Sequence, residues 1–124
     1  MTGARIPIIV QIDELNPVEG ELYVFAAPLT VNEVIKRLPV EGFIARWPNA
    51  VYIITEISRG VEKTTSKLLP GDIFYWSPEK AIGIALSEHM ARSQTIRIGS
   101  VSEGFREVSR AKIGARMRIV SKTF

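Results

Sequence analysis

The sequence contains no cysteine and a single histidine. The first absence excludes a disulfide framework, a thiolate metal site and a cysteine nucleophile. The second excludes a metal centre built from several imidazoles. Neither a metal nor a cofactor is therefore expected. No apolar run approaches the ~18 residues of a bilayer-spanning helix. The N-terminus has one Arg, a short apolar stretch and no small-residue cleavage site. A cytoplasmic chain with no membrane partner is the expectation. The glycines never cluster as a phosphate-cradling loop requires. The basic stretch from Arg106 to Lys122 holds no aromatic residue, so the stacking platform of an RNA-binding sheet is missing.

What is present fits one domain over residues 1–124. The chain has 124 residues, of which 46% are hydrophobic and 23% charged, a composition able to bury one core. The net charge of +3 is uneven, because eight basic residues lie between Arg92 and Lys122 against only Glu103 and Glu107. The last third therefore carries about +6 and the rest about −3. Such asymmetry offers a polyanion or nucleic-acid contact as one alternative function. The basic residues alternate with Val, Ile and Met, however, which is the pattern of a solvated sheet face.

Local patterns predict many short strands. Ile6 to Ile12 is β-branched at alternate positions and runs into the turn-rich Asp13-Glu14-Leu15-Asn16-Pro17. Glu21 to Phe25 predicts a second strand. Thr30-Val31-Asn32-Glu33 has the form of a capping box and opens a helix over residues 31–38. Val31, Val34, Ile35 and Leu38 then share one face, and Pro39 stops the helix. Phe43 to Trp47 and Val51 to Ile57 flank Pro48-Asn49-Ala50, which predicts a hairpin or sharp bend. Arg59 to Leu69 has no period.

The second half continues in the same manner. Pro70-Gly71-Asp72 is a turn before Ile73 to Trp76, and Asp72 is expected to bond local amides. Ala81 to Leu86 alternates small and branched residues, placing Ile82, Ile84 and Leu86 on one face and leaving the other open to close approach. A polar loop over Ser87 to Ser93, a strand over Gln94 to Val101, a short helical turn capped by Ser102, and a strand over Ala115 to Ser121 complete the chain. About eight strands with one or two short helices predict a mainly β fold, a barrel or a sandwich. No internal repeat appears.

Three ordered segments resemble a known family. Gly71 to Ile84 resembles the Gly-Asp-x-x-Tyr-Trp-x-Pro-x-x-Ala signature of small prokaryotic cyclophilin-like proteins. Trp47-Pro48-Asn49-Ala50-Val51-Tyr52 sits where that family carries Trp-Gly-x-x-(Ile/Val)-Tyr, and Ile98 to Val108 is similar to a Phe-Gly-x-Val-x-x-Gly-x-x-x-Val segment of cyclophilins. The resemblance implies a closed, eight-stranded cyclophilin-like β-barrel capped by short helices. It does not carry over prolyl isomerase activity. Cyclophilin catalysis is associated with a Phe-His-Arg strand, a nearby Gln, and a later Trp and His, and this chain has no matching residues.

The residues left to carry a function are few. His89 lies beside Glu88 in a polar loop, a reasonable position at a barrel rim. Tyr75 and Trp76 are adjacent in a strand, so one ring enters the core and the other faces a cleft or solvent. Arg46 and Trp47 alternate likewise, and Arg46 is a candidate cation near an aromatic wall. The leading expectation is a module that binds a small molecule or short peptide at Tyr75, Trp76, Trp47, Arg46 and His89. Weak peptidyl-prolyl isomerisation is the enzymatic alternative. A homodimer is open, since exposed strands and an apolar helix face can pair symmetrically.

Overall fold

The computed structural model describes residues 5–60 and 62–122. The chain is mainly β, with two short helices. Strands β1 (Arg5–Ile12) and β2 (Val18–Tyr23) form the first antiparallel pair, running from Arg5 opposite Tyr23 to Val10 opposite Val18. That pairing starts β2 three residues before the predicted Glu21 and ends it before Phe25, where a 3-10 turn over Val24–Ala26 begins.

Helix α1 (Pro28–Arg37) presents the predicted apolar face. Val31 and Val34 are buried, and Ile35 and Leu38 pack partly against the same core. Its predicted capping box does not form. Thr30 is inside the first turn, Ala27 is the N-cap residue, and Glu33 pairs instead with Lys36 at 3.7 Å and Arg37 at 3.3 Å. The orphan amides are met by Glu62, whose carboxylate accepts from Leu29 N at 3.1 Å and Thr30 N at 3.0 Å. A carboxylate fits there because the first-turn amides and the helix dipole both favour negative charge.

Strands β3 (Val40–Phe43), β4 (Ala45–Trp47) and β5 (Ala50–Ile54) follow, with β4 and β5 forming the hairpin predicted around Pro48-Asn49. β5 stops short of the predicted Ile57 because the Thr55 hydroxyl donates to Lys80 O at 2.7 Å and accepts from Ile57 N at 3.1 Å, diverting the chain from the ladder. Then come β6 (Lys67–Leu68), β7 (Asp72–Trp76), β8 (Ala81–Ala85), β9 (His89–Met90) and β10 (Thr95–Ser100). A 3-10 turn over Ser102–Gly104, helix α2 (Phe105–Val108) and β11 (Arg116–Ser121) close the chain. Ser102 does not cap α2; it lies in the preceding turn with φ 52°.

Nine strands form one sheet in the order β3-β11-β1-β2-β10-β7-β8-β5-β4, while β6 and β9 make a separate ribbon. That ribbon corrects the expectation of a plain loop over Ser87 to Ser93. The partner strand lies in the aperiodic Arg59 to Leu69 stretch, where the sequence carries no strand signal. The mainly β fold is as expected, but closure into a barrel is not shown, since no hydrogen-bonded ladder joins the outermost strands β3 and β4 among the described residues. These strands are nevertheless consecutive, separated by Ile44 alone. A Cβ added at Gly42 would stand 3.0 Å from Ile53 Cβ, so β3 lies directly against β5.

Two apolar clusters occupy opposite faces of the central strands. The main core gathers Ile8, Ile73, Tyr75, Ile82, Ile84, Ile96 and Ile98 with the buried face of α1. Burying an Ile or Val side chain contributes roughly 1.5–3 kcal/mol. A smaller cluster on the other face holds Ala50, Leu68, Phe74 and Ala85, with Trp47, Tyr52 and Trp76 packed on it. Among the described residues no helix is long and apolar enough to cross a membrane.

Candidate functional site

The second cluster exists because β8 has almost no side chains on that face. Phe74 pairs with Gly83 across the β7–β8 ladder, and a Cβ at Gly83 would run into Phe74 Cζ and stand 2.6 Å from Val51 O. The small-residue side of Ala81 to Ala85 therefore admits close approach, as its alternation predicts, but the approaching group is the protein's own Phe74. An aromatic ring covering a cross-strand glycine recovers the packing that glycine lacks.

Further rings stack outward from Phe74. Trp47, at the end of β4, lies nearly parallel to Phe74 with centroids 5.7 Å apart and meets Tyr52 at 4.5 Å. Trp76 stands edge-on to Trp47 at 5.3 Å, and its indole N–H donates to Ser93 O at 2.8 Å. Both geometries satisfy the ring quadrupoles. The guanidinium carbon of Arg92 sits 4.0 Å from the Trp47 centroid and 5.5 Å from that of Trp76.

The β6–β9 ribbon forms the rim. Leu68 pairs with His89 and Lys67 with Met90, and Ala91 N donates to Ser66 O at 3.0 Å. His89 Nδ1 lies 2.7 Å from Ser87 O. A carbonyl only accepts, so Nδ1 carries the proton in this contact and Nε2 is left for another partner. Between ribbon and rings lies a cleft of about 190 Å3, lined by Trp47, Leu68, His89, Met90, Arg92 and Thr95 among others.

The structure thus brings Trp47 and His89 to one cleft, packs Trp76 against Trp47 beside it, and places Tyr75 and Arg46 elsewhere. Tyr75 is wholly buried in the main core, where its hydroxyl donates to Ile57 O at 2.7 Å and accepts from Arg59 N at 3.1 Å. Arg46 points to the loop before β11, donating to Ala111 O at 3.0 Å and Ser109 O at 3.4 Å. Arg92, Met90 and Phe74 join the site without a sequence signal, save that the Gly83 opposite Phe74 marks a place of close approach. Ser87, next in the same segment, donates to Asn49 Oδ1 at 3.0 Å.

Residues 5–119 match the family model described as Cyclophilin-like. The chain belongs to the cyclophilin-like family. Among solved structures, this cyclophilin-like chain is similar to the solution structure of a hypothetical protein from Archaeoglobus fulgidus, with a TM-score of 0.76 and 22% identity over 96% of each chain. That likeness shows a shared fold. No curated protein matches the chain.

Elsewhere on the cyclophilin-like chain, half of the eight basic residues of the C-terminal third have an acidic partner among the described residues. Arg97 bonds Asp72 at 2.9 Å, Arg110 bonds Glu107 at 3.1 Å, Lys122 bonds Glu19 at 2.7 Å, and Arg118 stands 3.7 Å from Glu41. Asp72 also accepts from Leu69 N at 2.8 Å, which is the local turn chemistry expected of it. A second and larger cleft, of about 390 Å3, lies between Asp13-Glu14-Leu15 and the Arg110 to Ala115 loop.

Proposed function

We propose that this cyclophilin-like chain is a binding module that takes a small molecule or short peptide in the cleft beside Trp47. The supporting observation is the convergence of Trp47 and Trp76, from separate hairpins, with Arg92 over both indoles and the His89–Met90 ribbon at the edge. Large flat rings give contact area at little entropic cost, and a few polar groups then fix orientation. The reading is one of binding, because the Phe-His-Arg strand and the later Trp and His of prolyl isomerases have no counterpart in the sequence.

Trp47 and Trp76 are the two tryptophans of the chain, so intrinsic emission reports on this one cluster. Titration with metabolite and peptide libraries is expected to shift that emission and raise the melting temperature, by linkage of binding to folding. Libraries that move neither signal would remove the basis of the reading. A protease-coupled proline-peptide assay is expected to stay at the uncatalysed rate, and catalysis at micromolar protein would replace binding with isomerisation as the function.

A further inference from the structure

We infer that the cleft beside Trp47 selects ligands in which an apolar group ends in a carboxylate, with Arg92 binding the charge. This rests on the cleft being a ligand site and adds the chemistry it selects. The first support is the charge of the walls. Arg92 lines the cleft, and no Asp or Glu does so among the described residues. The neighbouring Glu88 is engaged by Lys67 at 3.2 Å.

The second support is that Arg92 is positioned and unspent. Two indoles hold its guanidinium from one side, yet its N–H groups make no hydrogen bond or ion pair among the described residues. Guanidinium donors form a planar fork that suits a carboxylate, and stacking on rings pre-orients that fork. One further nitrogen complements it: the Asn49 side chain, whose Oδ1 accepts from Ser87, keeps its amide donors. The apolar part of the ligand then rests against Trp47, Leu68 and Met90, the last 72% exposed.

The test compares acids with their neutral amides. N-acetyl dipeptides with apolar C-terminal residues, and 3-phenylpropionate as a non-peptide source of the same group, are titrated as free acids and as primary amides. Tryptophan emission and calorimetry give the dissociation constants. Acids are expected to bind at least about tenfold tighter than amides, one decade being the minimum for loss of a charge-assisted pair. Arg92→Gln should bring that ratio close to one, Arg92→Lys should restore part of it, and Lys112→Gln, which removes an equal charge at the other cleft, should leave it intact. The relative strength of the dipeptide and phenylpropionate arms shows whether peptide termini or small acids are preferred. Equal binding of acids and amides, or a ratio that survives in Arg92→Gln, overturns carboxylate selection while the cleft remains a binding site. Failure of every acid and amide alike overturns it together with the binding reading beneath it.

Discussion

Glu62 reaches back 32 residues to Thr30, whose backbone amide and hydroxyl both donate to its Oε1 at 3.0 Å. Together with the Leu29 amide at Oε2, this fastens the loop after β5 to the first turn of α1. A long-range contact does here what a local cap does in most helices.

Replacing Glu62 should therefore act like removing a cap. Glu62→Ala is expected to cost about 1 kcal/mol, or roughly 4 °C in melting temperature, and Glu62→Gln about half of that because its amide oxygen still accepts. Thermal melts of the two variants check this. Equal stability of Glu62→Ala and the parent chain would show that water caps α1 equally well.

Acid should weaken the same contact. Burial of Glu62 raises its pKa, but the amides of Leu29 and Thr30, the Thr30 hydroxyl and Lys63 together hold it below the ordinary 4.5. Glu107 is held below 4.5 as well, by the Asn16 amide first of all and against desolvation, with Arg110 assisting. A carboxyl lowered in the folded state contributes stability that is fully present above its unfolded pKa and is lost as pH falls through the folded value. Between about pH 6 and about pH 3 the urea midpoint should therefore fall less in the Glu62→Gln, Glu107→Gln double variant than in the parent. Parallel profiles would contradict the linkage.

Tyr75 should prove structural. Tyr75→Phe leaves Ile57 O and Arg59 N without their buried partner, at an expected cost of about 1–3 kcal/mol. Because Tyr75 and the cleft lie on opposite faces of β7, any ligand affinity measured at Trp47 should be unchanged in folded Tyr75→Phe. A specific loss of affinity without loss of stability would assign the hydroxyl to the site.

Gly83 should tolerate nothing larger. In Gly83→Ala the new methyl meets both the Phe74 ring and the Val51 carbonyl, and overpacking of this kind costs about 1–3 kcal/mol or more. Phe74→Leu should rescue the variant only in part, because the carbonyl belongs to the paired backbone of β5 and cannot retreat. Urea unfolding of the single and double variants measures the coupling. Full rescue would place the whole conflict in the Phe74 ring.

Much of this architecture was legible in local sequence. The alternation at Ala81 to Ala85 separated Ile82 and Ile84 from a face open to close approach, and the spacing of Val31, Val34, Ile35 and Leu38 gave the buried face of α1, because both patterns follow from fixed side-chain periods. The family signature around Gly71 to Ile84 was equally visible. Local pattern could not show which of Tyr75 and Trp76 points inward, since a period of two opposes neighbours without saying which face is the core. Nor could it show the β6–β9 ribbon, whose strands are two residues each, or the capping of α1 by a carboxylate 32 residues away. Those features arise when distant segments meet. Local pattern thus carries the short strands, one helix face and the family resemblance. That Trp47, His89 and the unanticipated Arg92 line one cleft, with Trp76 packed edge-on behind Trp47, follows from sheet pairing rather than chain proximity, and no local pattern carries it.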